Sequence, residues 1–279
     1  MFFYMIKFSK YNSCGNDFII IDNRLKQFSN ILKSSSVIMN NQSYIKSLCD
    51  RKDGIGADGL ILIDLPTNPK SLYFMTYYNS DGLISSFCGN GSMCSAHFTS
   101  SLSIAGPKPF SRGHFETNQG LFSFEVDINT NKSKVSLVDV KDIKTDCNGT
   151  FINTGSPHYV IFKNQLNNID VNKEGAEIRY SKRFRIEGTN ITFAQFINNN
   201  LFIRTYERGV EAETLSCGTG AVAAALCAFV NSFITVSEVL VKTKGGDLKV
   251  SFKKNSDTFS DIYLQSEIEK NFEGLLPKI

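Results

Sequence analysis

Short runs rich in β-branched and aromatic residues recur along the chain, at residues 17–22, 60–64, 72–78, 121–126, 134–138, 159–162, 201–206 and 239–243. Such residues suit a pleated, half-buried surface, so each run predicts a strand. The apolar opening stretch, residues 1–6, is cut short by Lys7 and reads as a first strand, not a signal peptide. Helical signals are fewer. Residues 221–230 are strong helix formers that follow directly on a glycine pattern, residues 92–100 predict a second helix, and residues 41–49 a shorter third. Residues 129–133 are polar turn formers without apolar periodicity, and the main boundary is placed there. The expected domains are residues 1–132, completed by 266–279, and residues 133–265.

The pattern repeats. Tyr78-Asn79-Ser80-Asp81-Gly82 leads to Cys88-Gly89-Asn90-Gly91 and then to a helix; Tyr206-Glu207-Arg208-Gly209 leads to Cys217-Gly218-Thr219-Gly220 and then to a helix. Some way beyond each helix stands a hairpin signal, Asn118-Gln119-Gly120-Leu121 in the first half and Gly245-Gly246-Asp247-Leu248 in the second. Upstream, Gly15-Asn16-Asp17-Phe18 has a loose counterpart in Gly155-Ser156-Pro157-His158. Four features in one order argue for two copies of one α+β unit, each with mixed strands around a central helix. A pseudo-twofold arrangement of the copies would direct both Cys-Gly-x-Gly motifs into a cleft between the domains, the usual place for a small-molecule site.

Each repeated cysteine falls where a loop hands over to a helix. Free backbone N–H groups and the helix dipole favour negative charge at that position, which promotes thiol ionisation relative to the free value of about 8.5 and makes a seat for a carboxylate. Two acid/base groups of one kind, on opposite faces of one carbon, are what a racemase or epimerase needs: one removes a proton and the other supplies one.

Composition narrows the classes without choosing among them. With 279 residues, 42% hydrophobic and 20% charged, the chain is globular and long enough for two cores of roughly 100 to 200 residues each. A net charge of +3 with both signs interspersed offers no basic stripe, so nucleic acid is not an expected partner. No apolar run approaches the ~20 residues of a membrane span, so no membrane association is expected. Seven cysteines, an odd number and scattered, suit a reducing cytoplasm. The chain has no CxxC pair, and neither a metal site nor a pyridoxal or other cofactor site is expected.

Taken together, these motifs resemble those of the diaminopimelate epimerase family, and the resemblance runs nearly end to end. It includes Gly15-Asn16-Asp17-Phe18, Gly54-Ile55-Gly56-Ala57-Asp58-Gly59, Asn79-Ser80-Asp81-Gly82, Cys88-Gly89-Asn90-Gly91, Gly155-Ser156-Pro157-His158, Thr189-Asn190, Tyr206-Glu207-Arg208-Gly209, Glu213-Thr214, Cys217-Gly218-Thr219-Gly220 and Gly245-Gly246. The resemblance implies a cofactor-independent epimerisation of LL-diaminopimelate to the meso form, in lysine and peptidoglycan-precursor biosynthesis, by a cytoplasmic homodimer. It implies Cys88 and Cys217 as the catalytic pair, with backbone amides of Gly89-Asn90 and Gly218-Thr219 on the carboxylate at the reacting centre. Asn16, Asn79, Asn190, Glu207 and Arg208 match substrate contacts, and His158 matches a supporting position. Their chemistry suits a zwitterionic diacid: Arg208 offers a planar fork for a carboxylate, Glu207 accepts from an ammonium, and amides hold either. The chain departs from the family pattern at Leu83 and Met93, where Ser and Arg are usual, at Ser156, at Gly59 and in a longer loop before Cys217.

The remaining signals read as structure. Cys14, Cys49, Cys94, Cys147 and Cys227 are expected as small core residues, and His97 and His114 as structural or surface residues. Gly54–Gly59 lacks the spacing and the βαβ context of a dinucleotide loop. Other functions for two thiols are a proline or hydroxyproline racemase, opposed by Asn90 and by Glu207-Arg208; a cysteine hydrolase using His158; and an amino-acid-binding scaffold or thiol redox switch.

Overall fold

The computed structural model describes residues 5–33, 41–85, 87–102 and 110–276. The chain divides into two compact units, Met1–Val135 with Glu267–Ile279, and Ser136–Ser266. Strands dominate both.

The first unit contains β1 (Ile6–Ser13), β2 (Asn16–Asp22), α1 (Gln27–Lys33), α2 (Asn41–Cys49), β3 (Gly59–Asp64), β4 (Phe74–Asn79), α3 (Gly89–Ser101), β5 (Phe110–Thr117), β6 (Gly120–Asp127) and β7 (Lys132–Ser136). The second contains β8 (Lys144–Thr145), β9 (Thr150–Asn153), β10 (Pro157–Phe162), α4 (Val171–Arg179), β11 (Asn190–Ile197), β12 (Asn200–Glu207), β13 (Ala212–Thr214), α5 (Gly218–Val230), β14 (Glu238–Lys242), β15 (Asp247–Asn255) and β16 (Thr258–Glu267). The last strand, β17 (Glu269–Leu276), pairs antiparallel with β1 and so returns to the first unit.

The pairings repeat from unit to unit. In the first, β1–β2 is antiparallel, β2–β3 parallel, β3–β4 antiparallel, β4–β5 parallel, and β5–β6 and β6–β7 antiparallel. In the second, β9–β10, β10–β11, β11–β12, β12–β14 and the β14–β15–β16 pairings follow the same succession. Each parallel step needs a crossover. In the fourth step of each unit that crossover is the helix headed by a cysteine.

Both central helices are enveloped. Residues of α5 from Gly218 to Ala228 are all buried, and its run of alanines lets strands approach from every side. Residues of α3 from Gly89 to Ser100 are equally buried yet rich in hydroxyls. Several of those hydroxyls are satisfied close by: Ser95 and Thr99 donate to the carbonyls of Ser92 and Ala96 at 2.9 and 3.1 Å, and Ser95 meets the hydroxyl of Tyr73 at 3.0 Å. Apolar periodicity is therefore absent from a helix that lies in the core.

Several boundaries differ from the sequence expectations. The first four residues of the expected opening strand lie outside the described residues, and β1 begins at Ile6. The polar stretch 129–133 is a hairpin turn between β6 and β7, with Asn131 at φ 52°, and β7 starts within it. The expected strand at 134–138 ends at Ser136, after which Leu137 donates to the carbonyl of Ile262 and Val140 bridges Phe259. Cys147, expected in a core, is exposed in the turn between β8 and β9, where Asp146 caps the chain by accepting from Asn148 and Gly149. Cys49, Cys94 and Cys227 are buried; Cys14 is half-buried in the β1–β2 turn with φ 51°.

Candidate functional site

In the first unit, Cys88 is the N-cap of α3, with extended backbone (φ −114°, ψ 110°) and a thiol that accepts from the N–H of Gly91 at 3.4 Å. Gly89 and Asn90 head the helix, where backbone N–H groups have no partner within the helix itself. A Cβ on Gly91 would lie 3.5 Å from Sγ of Cys88 and 3.1 Å from Ile61, so glycine leaves the thiol its place. Asn16, at the start of β2, approaches the same sulfur: the thiol points to Oδ1 of Asn16 at 3.9 Å, a long sulfur contact. Asn79 ends β4 on the rung of the sheet shared by Phe18 and Gly59. A small cavity of about 170 Å³ reaches Cys88, lined mainly by Phe74, Met75, Tyr77, Ile84 and Phe87.

In the second unit, Cys217 is the N-cap of α5 with nearly the same backbone (φ −130°, ψ 108°). It is 7% exposed, and its sulfur lies 3.6 Å from the hydroxyl of Thr219. Gly220 repeats the role of Gly91, since its Cβ would stand 3.3 Å from the sulfur and 3.1 Å from the hydroxyl of Thr205. His158 is fully buried on β10, between the hydroxyls of Thr219 (2.9 Å from Nε2) and Thr192 (3.1 Å from Nδ1). Nδ2 of Asn190 donates to Oγ of Ser156 and to the carbonyl of Pro157, both at 2.9 Å, and reaches Nε2 of His158 at 3.4 Å. Its Oδ1 accepts from the N–H of Arg208 at 2.9 Å, which ties the end of β12 to the start of β11. Glu207 accepts from the hydroxyl of Thr214 at 2.6 Å, and the Arg208 guanidinium donates to the carbonyl of Glu187 at 3.0 Å.

The equivalence of the units extends to these side chains. Phe18 and Gly59 pair across β2 and β3 as His158 and Asn190 pair across β10 and β11. Gly59 pairs with Asn79, and the register of Ile191 with Tyr206 puts Asn190 beside Glu207. The rung of the first unit bears one polar site residue, Asn79, and that of the second bears three, His158, Asn190 and Glu207. The structure gathers Asn16, Asn79, Cys88, Gly89 and Asn90 in the first unit, and His158, Asn190, Glu207, Arg208, Cys217, Gly218 and Thr219 in the second.

Electrostatics correct one expectation. A helix N-terminus was expected to ease ionisation, but burial, aided by the negative charge of Glu207, pushes the Cys217 thiol well above its ordinary range. Desolvation outweighs the dipole there. Burial, followed by the positive charge of Arg208, brings His158 down to about 3, so the imidazole is neutral at ordinary pH. Cys94 and Cys227 are pushed up by burial, which makes them inert core thiols.

The sequence reading missed several residues that support these centres. Thr192 and Thr205 back His158 and meet each other at 3.2 Å, and Thr154 donates to the carbonyl of Thr219 at 3.0 Å. Asp58, Asp17, Arg51 and Lys10 form an ion cluster behind Asn16. Asp17 and Asp58 lie in the 15–18 and 54–59 stretches that carried the family resemblance, but no role was read for either, and Lys10 and Arg51 gave no signal. A larger cavity of about 660 Å³, bordered by Asn164, Arg204, Lys242 and Lys244, contains none of the expected site residues. Its cations are already paired, Arg204 and Lys244 with Glu213 and Lys242 with Asp247. Among the described residues, no group of three or more His, Cys, Asp or Glu side chains is placed to hold a metal ion, and no helix is long and apolar enough to cross a membrane.

Solved structures share this fold. A Bacillus anthracis phenazine biosynthesis protein of the PhzF family superposes with a TM-score of 0.73 over 98% of this chain and 99% of its own. A probable proline racemase from Agrobacterium radiobacter K84 gives 0.69 over 96% and 92%. Both are 12% identical, so they establish a PhzF-like fold and nothing finer. Within that class the sequence is specific. Residues 8–141 and 150–266 match the family model described as diaminopimelate epimerase. The diaminopimelate epimerase of Flavobacterium psychrophilum is 42% identical over 270 residues, covering 96% of this chain and 99% of that protein. That of Aquifex aeolicus is 37% identical over 281 residues, covering 97% and 98%. The chain belongs to the diaminopimelate epimerase family, a family of isomerases.

Proposed function

We propose that the chain carries out its family's reaction, epimerisation of LL-2,6-diaminopimelate to the meso form in lysine and peptidoglycan-precursor biosynthesis, with Cys88 and Cys217 as the two acid/base groups. The observation that carries this reading is the equivalence of the two thiols: each is the N-cap of the buried helix in one of two units with matching strand pairings. One cysteine, as thiolate, takes the proton from the α-carbon; the other, as thiol, delivers its proton to the opposite face. After turnover the two have exchanged protonation states, and microscopic reversibility accounts for their being the same residue type.

The carbanionic intermediate places charge on the α-carboxylate. Backbone N–H groups of Gly89, Asn90, Gly218 and Thr219 receive it at the helix ends, where each oriented donor contributes roughly 3 to 4 kcal/mol of the ~8 to 23 an enzyme must supply. Arg208 suits the distal carboxylate, Glu207 an ammonium, and Asn16, Asn79 and Asn190 complete the contacts. His158, neutral and enclosed, supports the second thiol through Thr219 without taking a proton from substrate. The reaction as written uses no cofactor. The protein is expected to work as a homodimer in the cytoplasm.

The test is solvent exchange followed by NMR. LL-diaminopimelate incubated with reduced protein in D2O is expected to yield the meso isomer carrying deuterium at one α-carbon, and Cys88→Ser and Cys217→Ser each abolish turnover. Full activity in either variant, or no exchange by reduced folded protein, overturns the two-thiol reading.

A further inference from the structure

The side-chain amide of Asn16 can present either of two opposite faces, a carbonyl oxygen that accepts or an NH2 that donates. Its other end decides which. Nδ2 of Asn16 donates to Oδ2 of Asp58 at 2.7 Å, and a carboxylate offers only acceptors, so turning the amide over would set oxygen against oxygen. Oδ1 of Asn16 is thereby directed at the thiol of Cys88.

Asp58 is itself held from three sides. Its Oδ2 accepts from the N–H of Asp17 at 3.2 Å, its Oδ1 accepts from Arg51 at 2.7 Å, and its own N–H donates to Oδ1 of Asp17 at 3.0 Å. Arg51 also grips both oxygens of Asp17, at 2.8 and 3.1 Å. Lys10, only 7% exposed at its side chain, donates to Asp17 at 2.6 Å and to the carbonyl of Gly56. Burial alone would raise the Asp17 carboxyl, but hydrogen bonds from Arg51 and Lys10 hold it down at about 2, so Asp17 remains an acceptor for Arg51, Lys10 and the N–H of Asp58. A fixed carboxylate therefore stands behind Asn16.

We infer that Asp58 is a positioning residue for Cys88: by locking the amide of Asn16 it presents a carbonyl oxygen, and not an N–H, to the thiol and to any ligand group that reaches Asn16. Two consequences follow. The contact favours the thiol form of Cys88 over the thiolate in the ligand-free protein, because this acceptor opposes the N–H of Gly91 that the same sulfur accepts. A ligand group received by Asn16 is a donor, such as an ammonium, and not a carboxylate. The functional meaning rests on Cys88 being one of the two acid/base groups, whereas the orientation itself does not.

Asp58→Asn tests this, because an amide at position 58 can donate to Oδ1 of Asn16 and let its NH2 swing toward the sulfur. Alkylation by iodoacetamide, followed as a function of pH and resolved by mass spectrometry at each cysteine, is expected to show the Cys88 midpoint falling by about half a pH unit or more, since an N–H now meets the thiolate. The Cys217 midpoint stays where it is. Turnover falls about tenfold, with a rise in KM as the ammonium loses its acceptor. The charge-conserving exchange Asn16→Asp with Asp58→Asn restores an oxygen facing Cys88 and brings its midpoint back to or above that of the unsubstituted protein. Asp58→Ser, with a hydroxyl that tolerates either orientation, carries the same expectation at smaller size should Asp58→Asn not fold.

In the unsubstituted protein, the Asn16 side-chain NH2 protons, identified by their loss in Asn16→Asp, are expected to be protected from exchange. An unmoved Cys88 midpoint in folded Asp58 variants, or rapid exchange of those protons, overturns the inference. Full activity of Cys88→Ser would instead remove the acid/base role of Cys88 and leave the orientation to be judged by the midpoints alone.

Discussion

The hydroxyl of Thr219 stands 2.9 Å from Nε2 of His158 and 3.6 Å from the sulfur of Cys217. The NH2 of Asn190 also faces Nε2, so that nitrogen is the acceptor and Nδ1–H donates to Thr192. Thr219 then donates to His158 and keeps its lone pairs for the thiol. The result is a directed chain, from Cys217 through Thr219 and His158 to Thr192.

Removing the middle of that chain has a defined effect. Thr219→Ala leaves Nε2 of a fully buried histidine without one partner and the thiol without one of its neighbours, and it is expected to cost about 1 to 3 kcal/mol. Turnover drops as well, while Thr219→Ser retains most of both. Urea denaturation and the solvent-exchange assay measure the two effects separately.

His158 sets a pH dependence with a definite sign. Its folded-state value lies at about 3 against 6.5 for the free side chain. The unfolded chain therefore takes up a proton as pH falls below about 6.5, and the folded protein does not until about 3. The stability this group contributes is whole above the upper value and is lost progressively toward the lower, by up to about 1.4 kcal/mol per pH unit. Urea melts at pH 6.5, 5.5 and 4.5 are expected to show a steeper decline for the unsubstituted protein than for His158→Gln, and equal slopes would contradict the buried neutral imidazole.

The two glycines beneath the thiols differ in tolerance. A methyl on Gly91 meets the flexible end of Ile61 at 3.1 Å, which can yield. On Gly220 it meets the Thr205 hydroxyl at 3.1 Å and Cβ of Cys217 at 3.2 Å, both anchored. Gly220→Ala is thus expected to cost about 1 to 3 kcal/mol and to displace the sulfur, lowering turnover. For Gly91→Ala the gain in helix propensity, about 1 kcal/mol, largely offsets the strain. Thermal melts and turnover rates of the two variants provide the comparison.

Glu213 holds two cations of the second unit. It receives Arg204 bidentately at 2.6 and 2.8 Å, with side chains 12% and 14% exposed, and also Lys244 at 2.9 Å. Glu213→Gln leaves a largely buried guanidinium without its counter-ion and is expected to destabilise the protein by about 3 kcal/mol or more. The double variant Glu213→Gln with Arg204→Met recovers much of that loss. A double-mutant cycle in urea shows whether it does.

Much of the site was legible because its signals are local. A cysteine followed by Gly-x-Gly and a helix is a contiguous pattern, and its second occurrence exposed the repeat without any knowledge of pairing. Helix α5 was legible because alanine forms helices in any setting. Helix α3 was placed only approximately, since it is buried nearly all round and serines and threonines, some bonding within the helix, interrupt any apolar periodicity. Strands β16 and β17 went unread, and β15 was signalled only by the hairpin at its start, because lysines, asparagines and glutamates interrupt their apolar alternation on the exposed face.

What the sequence determined by itself was the set of candidate groups: two thiols at two helix starts, glycines that leave them room, and side chains suited to a zwitterionic diacid. Those follow from residue identity and short-range backbone preference. Tertiary structure alone decided which end of Asn16 faces Cys88, that Asn190 spends its amide on Ser156, Pro157 and Arg208, and that Cys217 is held as a thiol despite its helix dipole. The physical reason is the same in each case. Hydrogen-bond direction and ionisation depend on which partners and how much water surround a group, and residues as distant in sequence as Asn16 and Asp58 supply those surroundings only when the strands have paired.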